Sequence, residues 1–448
     1  MSTTIPTYII NLQSRADRRA HVLGEFAGRD EFDITLVTPL AAGSGAVSLW
    51  RTIKHIVQDR LSPDVPYILL CEDDHTFTDA YSPEALFQAI ATAQAMGAGL
   101  LSGGVSWLTS CVQVSEHLFW MEKFSGLQFT VLFRSLFPGI LNAGFENGDA
   151  ADYKMSSLTG GKYFIYPFIS TQKDFGYSDV TSKNNQERRV EDLFKTTSEN
   201  IQVLKNVADY YDKRKLAMDL QIQPALLEQL TLPAYVINLP ERTERRQHIA
   251  RQFAGRPEFD ITIVDGIRHE KGHLGLWLGI RKIIALAMEN DDDVIVICED
   301  DHQFTPHYAK HLFLQTILHV HELGAELLCG GIGGFGTAIP VTDSTWWINS
   351  FMCTQFMVVY KSLFPRILDE PYDENIVVEE VLSSIASNKM TFYPFISTQQ
   401  SFGGGDVGPV PGRIVCPVSQ LFEQTDARFH NIRTTMPQRN LITYYQHA

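Results

Sequence analysis

Two short acidic runs carry the densest chemistry in the sequence. Glu72-Asp73-Asp74-His75 follows the apolar run Tyr67–Cys71, and Glu299-Asp300-Asp301-His302 follows Val294–Cys298. Three adjacent carboxylates repel one another unless a cation or several hydrogen-bond donors compensate them. Oxygen ligands suit a hard divalent ion, Mn²⁺ or Mg²⁺. In extended backbone alternate residues face the same way. Glu72 and Asp74 would then share one ion, and Glu299 and Asp301 another. Asp73 and Asp300 would point elsewhere, towards a ribose hydroxyl or backbone amides. An acidic helix cap is the plainer alternative, but recurrence behind an apolar strand favours the metal. His75 and His302 read as structural, as a lone histidine more often is.

A second pattern precedes each acidic run. Asn11-Leu-Gln-Ser-Arg15-Ala-Asp-Arg18-Arg19 and Asn238-Leu-Pro-Glu-Arg242-Thr-Glu-Arg245-Arg246 each follow a strand-like run and open a helix. Helix N-termini attract phosphate, and arginine forks pair with its oxygens. Arg15, Arg18, Arg242 and Arg245 are therefore candidate nucleotide contacts, with Asn11 and Asn238 placed for a base or ribose. Arg19 and Arg246 read as surface charges. Asp152 and Glu379 are candidate general bases, although a helix-surface acid is the commoner meaning of such a residue. Gln172, Gln399, Asp179 and Asp406 are the polar remainder of a late apolar motif. The diglycines Gly103-Gly104 and Gly330-Gly331 read as tight turns, and Trp50, Trp277 and Phe129 as core.

These motifs must be positioned by two copies of one domain. The offset from Glu72 to Glu299 is 227 residues, and Tyr166–Gln172 returns as Tyr393–Gln399 at the same offset. A period that long is no solenoid repeat; each copy can hold its own core. The boundaries read as 1–197 for the first domain, 198–233 for a helical connector, 234–426 for the second domain and 427–448 for a tail. In each copy apolar runs alternate with helical spacing. Helix is expected at Arg15–Phe26 and Leu49–Val57, and strand at Tyr8–Leu12, Phe32–Val37 and Tyr67–Cys71. Strands apolar on both faces, separated by helices, indicate an α/β fold with a mostly parallel, Rossmann-like sheet, whose ligands bind at the carboxyl ends of the strands.

The 448 residues are 44% hydrophobic with a net charge of −15, which argues against nucleic acid as the main partner. No run is long and apolar enough for a membrane span, though peripheral membrane contact stays open. The opening residues show no signal-peptide pattern. The six cysteines lack any CxxC pair, so a reducing cytoplasm is expected.

Taken in order, the motifs resemble glycosyltransferase family 25, the lipooligosaccharide and collagen galactosyltransferase group, present twice. The resemblance rests on Ile-Asn-Leu before an arginine-rich helix start and on an apolar strand ending in Glu-Asp-Asp. It rests also on a segment of the type Gln355-Phe-Met-Val-Val-Tyr360-Lys-Ser-Leu-Phe-Pro-Arg-Ile-Leu368 and on the late Pro167, Gln172, Ser178, Asp179 element. It implies two GT-A-like domains and transfer of a sugar, galactose for instance, from a nucleotide-sugar donor of the uridine diphosphate type to a glycan hydroxyl. The acidic motif would hold metal and diphosphate, and a carboxylate would accept the acceptor's proton in an inverting displacement. Asp265-Gly266 is the family-like pair where the first copy has Thr38-Pro39, which makes Asp265 a candidate donor contact. The family's Ser-His pair before the acidic strand is missing from both copies. Two other functions compete: a catalytically silent nucleotide-sugar or glycan-binding scaffold, and a metal-dependent phosphohydrolase.

Overall fold

The computed structural model describes residues 4–59, 65–176, 188–217, 224–371, 373, 377–403 and 417–435. The chain forms two compact units, one built mainly on Met1–Lys205 and the other on Asn206–Arg433.

In the first unit the elements run β1 (Ile5–Ile10), α1 (Ala16–Phe26), β2 (Phe32–Val37), α2 (Gly45–Asp59), β3 (Tyr67–Glu72), β4 (His75–Phe77) and α3 (Pro83–Ala95). Short strands follow: β5 (Leu100–Ser102), β6 (Trp107–Leu108), β7 (Cys111–Gln113), β8 (Leu118–Met121), β9 (Phe124–Ser125) and β10 (Phe129–Phe133). The unit then adds α4 (Phe137–Asn142), α5 (Ala151–Ser157), β11 (Lys162–Ile165) and β12 (Ser170–Gln172). The main sheet has eight strands in the order β2-β1-β3-β10-β5-β11-β8-β7. β1 lies parallel to both β2 and β3, and β5 is parallel to β11, whereas β10 and β8 run against their neighbours. The chain leaves β1 for β2 on one side and returns to β3 on the other, which makes the carboxyl ends of β1 and β3 a topological switch point.

Burial explains these strands. Ile68, Leu69, Leu70 and Cys71 are all buried, so β3 is covered on both faces. Trp50, Ile53, Ile56 and Val57 are buried along one side of α2 and join the same core as Ile68 and Leu70. That spacing is the helical one.

The second unit repeats the order with α8 (Thr243–Phe253), α9 (Gly272–Glu289), α10 (Lys310–Glu322), α11 (Phe364–Asp369) and α12 (Val378–Ile385). Its strands are β13 (Leu232–Asn238), β14 (Phe259–Asp265), β15 (Val294–Glu299), β16 (His302–Phe304), β17 (Leu327–Cys329) and β18 (Gly334–Phe335). They continue with β19 (Ala338–Pro340), β20 (Thr345–Ile348), β21 (Phe351–Met352), β22 (Phe356–Tyr360), β23 (Lys389–Phe392) and β24 (Ser397–Gln399). The sheet order is β14-β13-β15-β22-β17-β23-β20-β19, the counterpart of the first. The protein is thus an α/β chain with two Rossmann-like sheets.

The connector begins earlier than its composition suggests. α6 (Arg189–Ala217) crosses residue 197 without a break, and α7 (Pro224–Gln229) precedes β13. Phe194 and Ile201 are buried in the first unit's core. At the other end, α13 (Val418–Thr435) crosses the 426/427 boundary drawn from sequence, with Phe429 and Ile432 fully buried. Phe429 stacks on Phe335 and Tyr393. The first part of the expected tail, residues 427–435, is therefore the end of a closing helix, and residues 436–448 lie outside the described set. Among the described residues no helix is long and apolar enough to cross a membrane.

Candidate functional site

The acidic turn sits at the switch point, where Ile10 at the end of β1 lies opposite Glu72 at the end of β3. Asn11 follows β1 and donates through Nδ2 to Asp73 Oδ2 at 2.8 Å. Arg18, in the first turns of α1, donates to Asp73 Oδ1 at 3.1 Å and to Asp74 Oδ2 at 3.0 Å. The second unit repeats the brace. Asn238 and Arg245 both donate to Asp300 at 2.9 Å, and Arg245 reaches Asp301 at 3.4 Å. Asp73 and Asp300 are buried. Their oxygens are held by the strand end on one side and the helix on the other, so the middle carboxylate locks the turn.

The outer carboxylates face a common donor. Gln172, at the end of β12, donates Nε2 to Asp74 Oδ1 at 3.2 Å and reaches Glu72 Oε2 at 3.5 Å. Pairing of Gln172 with His75 across β12 and β4 holds it there. In the second unit Gln399 donates to Asp301 at 3.3 Å, while Thr354 Oγ1 donates to Glu299 Oε1 at 2.7 Å. A further carboxylate approaches each group from a helix. Asp152 Oδ2, in the first turn of α5, accepts from Ser125 Oγ at 2.6 Å and from the Gly126 N–H at 3.3 Å. Glu379, in the first turn of α12, accepts from the Cys353 N–H at 3.2 Å.

The electrostatics follow from this crowding. Burial pushes the Glu72 carboxyl well above the usual range, and the charges of Asp74, Asp73 and Asp152 push it further against the pull of Arg18. Burial lifts Glu299 to about 8; Asp301, Glu379 and Asp300 add to that, and the Thr354 hydroxyl opposes it. Asp74 and Asp301 are raised by burial too, with Arg18 and Arg245 pulling them down. Each site is therefore a cluster of crowded carboxylates, the middle one buried and the outer two half-buried, with few positive charges beside them.

Among the described residues no three His, Cys, Asp or Glu side chains converge to cage a metal. Glu72 and Asp74 instead converge on one amide. Such a pair could hold a hard ion whose remaining positions are filled by water and phosphate oxygens, the usual way Mg²⁺ is bound beside a phosphorylated ligand. In the second unit Asp301 with Glu299 offers the corresponding oxygens.

Other sequence candidates are placed differently. Arg15 and Arg242 occupy the N-cap positions of α1 and α8 and are partly exposed; it is Arg18 and Arg245 that reach the carboxylates. Asp265 ends β14 and is exposed. Ser178, Asp179 and Asp406 lie outside the described residues. His75 is a core residue: its Nδ1 meets Ser170 Oγ at 2.8 Å, and its ring lies among Phe26, Phe77 and Phe129. Burial holds it neutral, at about 3. His302 repeats this against Ser397. Gly104 serves packing rather than a turn, since a Cβ there would lie 2.1 Å from the Ser170 carbonyl oxygen.

Sequence reading missed Ser125, Gly126, Cys353 and Thr354. Their one signal is position, just ahead of the matching pair Gln128 and Gln355. Those glutamines are buried and donate to the Gly104 and Gly331 carbonyls at 2.8 Å and 2.9 Å. The units also differ away from the acidic turn. A cavity of about 340 Å³ lined by Ala85, Ala89, Thr92 and His117 in the first unit shrinks to about 20 Å³ in the second, where Leu312, Thr316 and His319 stand.

No family model matches the chain, and no curated protein matches it significantly. Among solved structures, apo UDP-glucose pyrophosphorylase aligns with 36% of this chain and 72% of its own at 7% identity and a TM-score of 0.25. The mannose-1-phosphate geranyltransferase from Thermus thermophilus aligns with 37% and 74%, at 9% identity and a TM-score of 0.19. Likeness this slight defines no activity, which has to be argued from the site itself.

Proposed function

We propose that the chain is a tandem metal-dependent glycosyltransferase of the family 25 type, using a nucleotide-sugar donor and a glycan acceptor. The observation that carries this reading is the same in both units. A half-buried carboxylate pair stands at the sheet's switch point, and a third carboxylate faces it from a helix, with more negative charge than the nearby arginine offsets.

In this reading Glu72 with Asp74, and Glu299 with Asp301, hold Mn²⁺ or Mg²⁺. The bound ion would supply positive charge to the departing nucleoside diphosphate. The protein's own residues do the rest. Asn11, Arg18 and Asp73 fix the turn, so the carboxylate pair needs no rearrangement when the donor arrives. Arg15 and Arg242, partly exposed at helix N-caps, take donor phosphate oxygens. Asp152 and Glu379, each anchored by a backbone N–H, accept the proton of the attacking hydroxyl.

The test uses the full chain with a panel of uridine diphosphate sugars in Mn²⁺ or Mg²⁺, following release of the nucleotide. Turnover should require the ion. Asp74→Ala and Asp301→Ala should each remove one unit's share, and the double variant should fall to background. Turnover unchanged in the double variant refutes the metal role. Nucleotide binding without turnover would favour a silent scaffold.

A further inference from the structure

Trp107 and Tyr153 are among the most exposed large hydrophobic side chains of the first unit, at 41% and 54%. Their rings meet edge to face with centroids 6.0 Å apart. Tryptophan is highly buried on average, so an exposed one paired with an exposed tyrosine calls for an explanation. Both residues flank Asp152. Tyr153 is next in the chain, and its N–H donates to Asp152 Oδ1 at 2.8 Å. Trp107 lies in β6 directly across from Ser125 in β9, and Ser125 is the residue that donates to Asp152 Oδ2. One carboxylate is thus gripped by the backbone beside one aromatic and by the strand partner of the other.

The second unit keeps the carboxylate and loses both rings. At the 227-residue offset, Gly334 stands for Trp107 and Glu380 for Tyr153. The fold therefore does not require the rings, since the paired strands β18 and β21 form without them.

A pyranose ring presents a flat C–H face with hydroxyls around its rim. Indole and phenol rings match the first by area and the second through their N–H and O–H groups. Resting on the transferase reading above, we infer that Trp107 and Tyr153 form a platform for the acceptor's sugar ring, which sets a hydroxyl against Asp152. The platform belongs to the first unit only, so the two units take different acceptors.

The experiment measures two bindings on the full chain. Lactose, cellobiose and N-acetyllactosamine are titrated by saturation-transfer NMR with Trp107→Ala, Tyr153→Ala, Trp107→Phe and Tyr153→Phe. UDP with Mn²⁺ is titrated by calorimetry on the same proteins. At least one disaccharide should bind the wild type, weaken by about tenfold or more in each alanine variant, and recover within about threefold in the phenylalanine variants. Transfer assays should place the loss in the acceptor KM rather than the donor KM. Disaccharide binding that is absent, or unmoved by the alanine variants, overturns the platform. So does weakened UDP binding with intact disaccharide binding, because the rings would then stack on the nucleobase. If disaccharides bind through the rings while no donor is turned over, the platform stands and the transferase reading falls. Donor turnover with ring-independent disaccharide binding has the opposite meaning.

Discussion

Replacing Glu299 with Gln should flatten the fall in stability of this protein between about pH 5 and about pH 9 in EDTA. An unfolded glutamate titrates near 4.3, whereas burial and three neighbouring carboxylates lift Glu299 to about 8. Between those values the folded state holds a proton that the unfolded chain has lost. Stability tied to that proton is fully present below the unfolded value and is lost as pH rises through the folded one. The gap is nearly four powers of ten, about 5 kcal/mol at about 1.4 kcal/mol per tenfold. Glu299 keeps some contact with water, and screening brings the expected effect to about half of that. Glutamine keeps the shape and the hydrogen bond from Thr354 while removing the charge. Urea titrations of wild type and Glu299→Gln at several pH values would show the difference in slope, and infrared difference spectra should lose one protonated carboxyl band. Mn²⁺ should restore the wild type at high pH, because it supplies the missing positive charge, and help the variant less. An unchanged pH slope in Glu299→Gln would refute the charge-excess argument for that site.

Arg18→Met should destabilise the first unit by about 3–5 kcal/mol, because it leaves Asp73 and Asp74 buried without their guanidinium; a urea midpoint equal to that of wild type would contradict the brace. Cys353 has a φ of +75° where the first unit has Gly126 at +112°. Cys353→Gly should therefore raise stability by up to about 1 kcal/mol once glycine's own entropy is counted, readable as a higher Tm. Gly126→Ala should do the reverse, since its Cβ would sit 2.9 Å from Gln128 Oε1 in a backbone region that disfavours side chains. Asp152→Asn together with Glu379→Gln should lower kcat by about 10²–10⁴ with little change in the donor KM; an unaltered kcat would remove these residues as bases.

The sheet was legible because its central strands are apolar without interruption. Tyr67–Cys71 and Val294–Cys298 announce coverage on both faces, and the structure places them in β3 and β15. Helix starts were legible from spacing, with α1 beginning at Ala16 where Arg15 was expected. The acidic turn and its glutamine could be found because charge at a strand end is conspicuous. Two kinds of feature escaped. Thr354 and Ser125 act through one hydroxyl apiece, brought in by tertiary folding from residues with no local pattern. Trp107 and Tyr153 stand 46 positions apart in the chain and meet only because β6 pairs with β9 next to α5. The closing helix was not legible for a related reason. The apolar positions of α13 are filled by Phe422, Phe429 and Ile432, too sparse to stand out among charged neighbours.

The differences between the units follow a spatial order. The brace is the same in type and closely alike in distance: Asn11 and Asn238, Arg18 and Arg245, Asp73 and Asp300. One step outward, on the side facing Asp152 and Glu379, nearly every position has changed. Leu127 is replaced by Thr354, Gly126 by Cys353, Trp107 by Gly334 and Tyr153 by Glu380. The brace would be kept in either case, because removing one partner strands a buried charge. The outer pair, Glu72 with Asp74 and Glu299 with Asp301, is different, since its like charges oppose one another and both copies still carry it. A retained carboxylate pair beside a changed rim is the pattern expected under the proposed reading of two units with a common donor chemistry and separate acceptors. A scaffold with one dead unit predicts the opposite. Its idle copy, freed from holding an ion, should have traded the outer acids for neutral residues, and neither copy has.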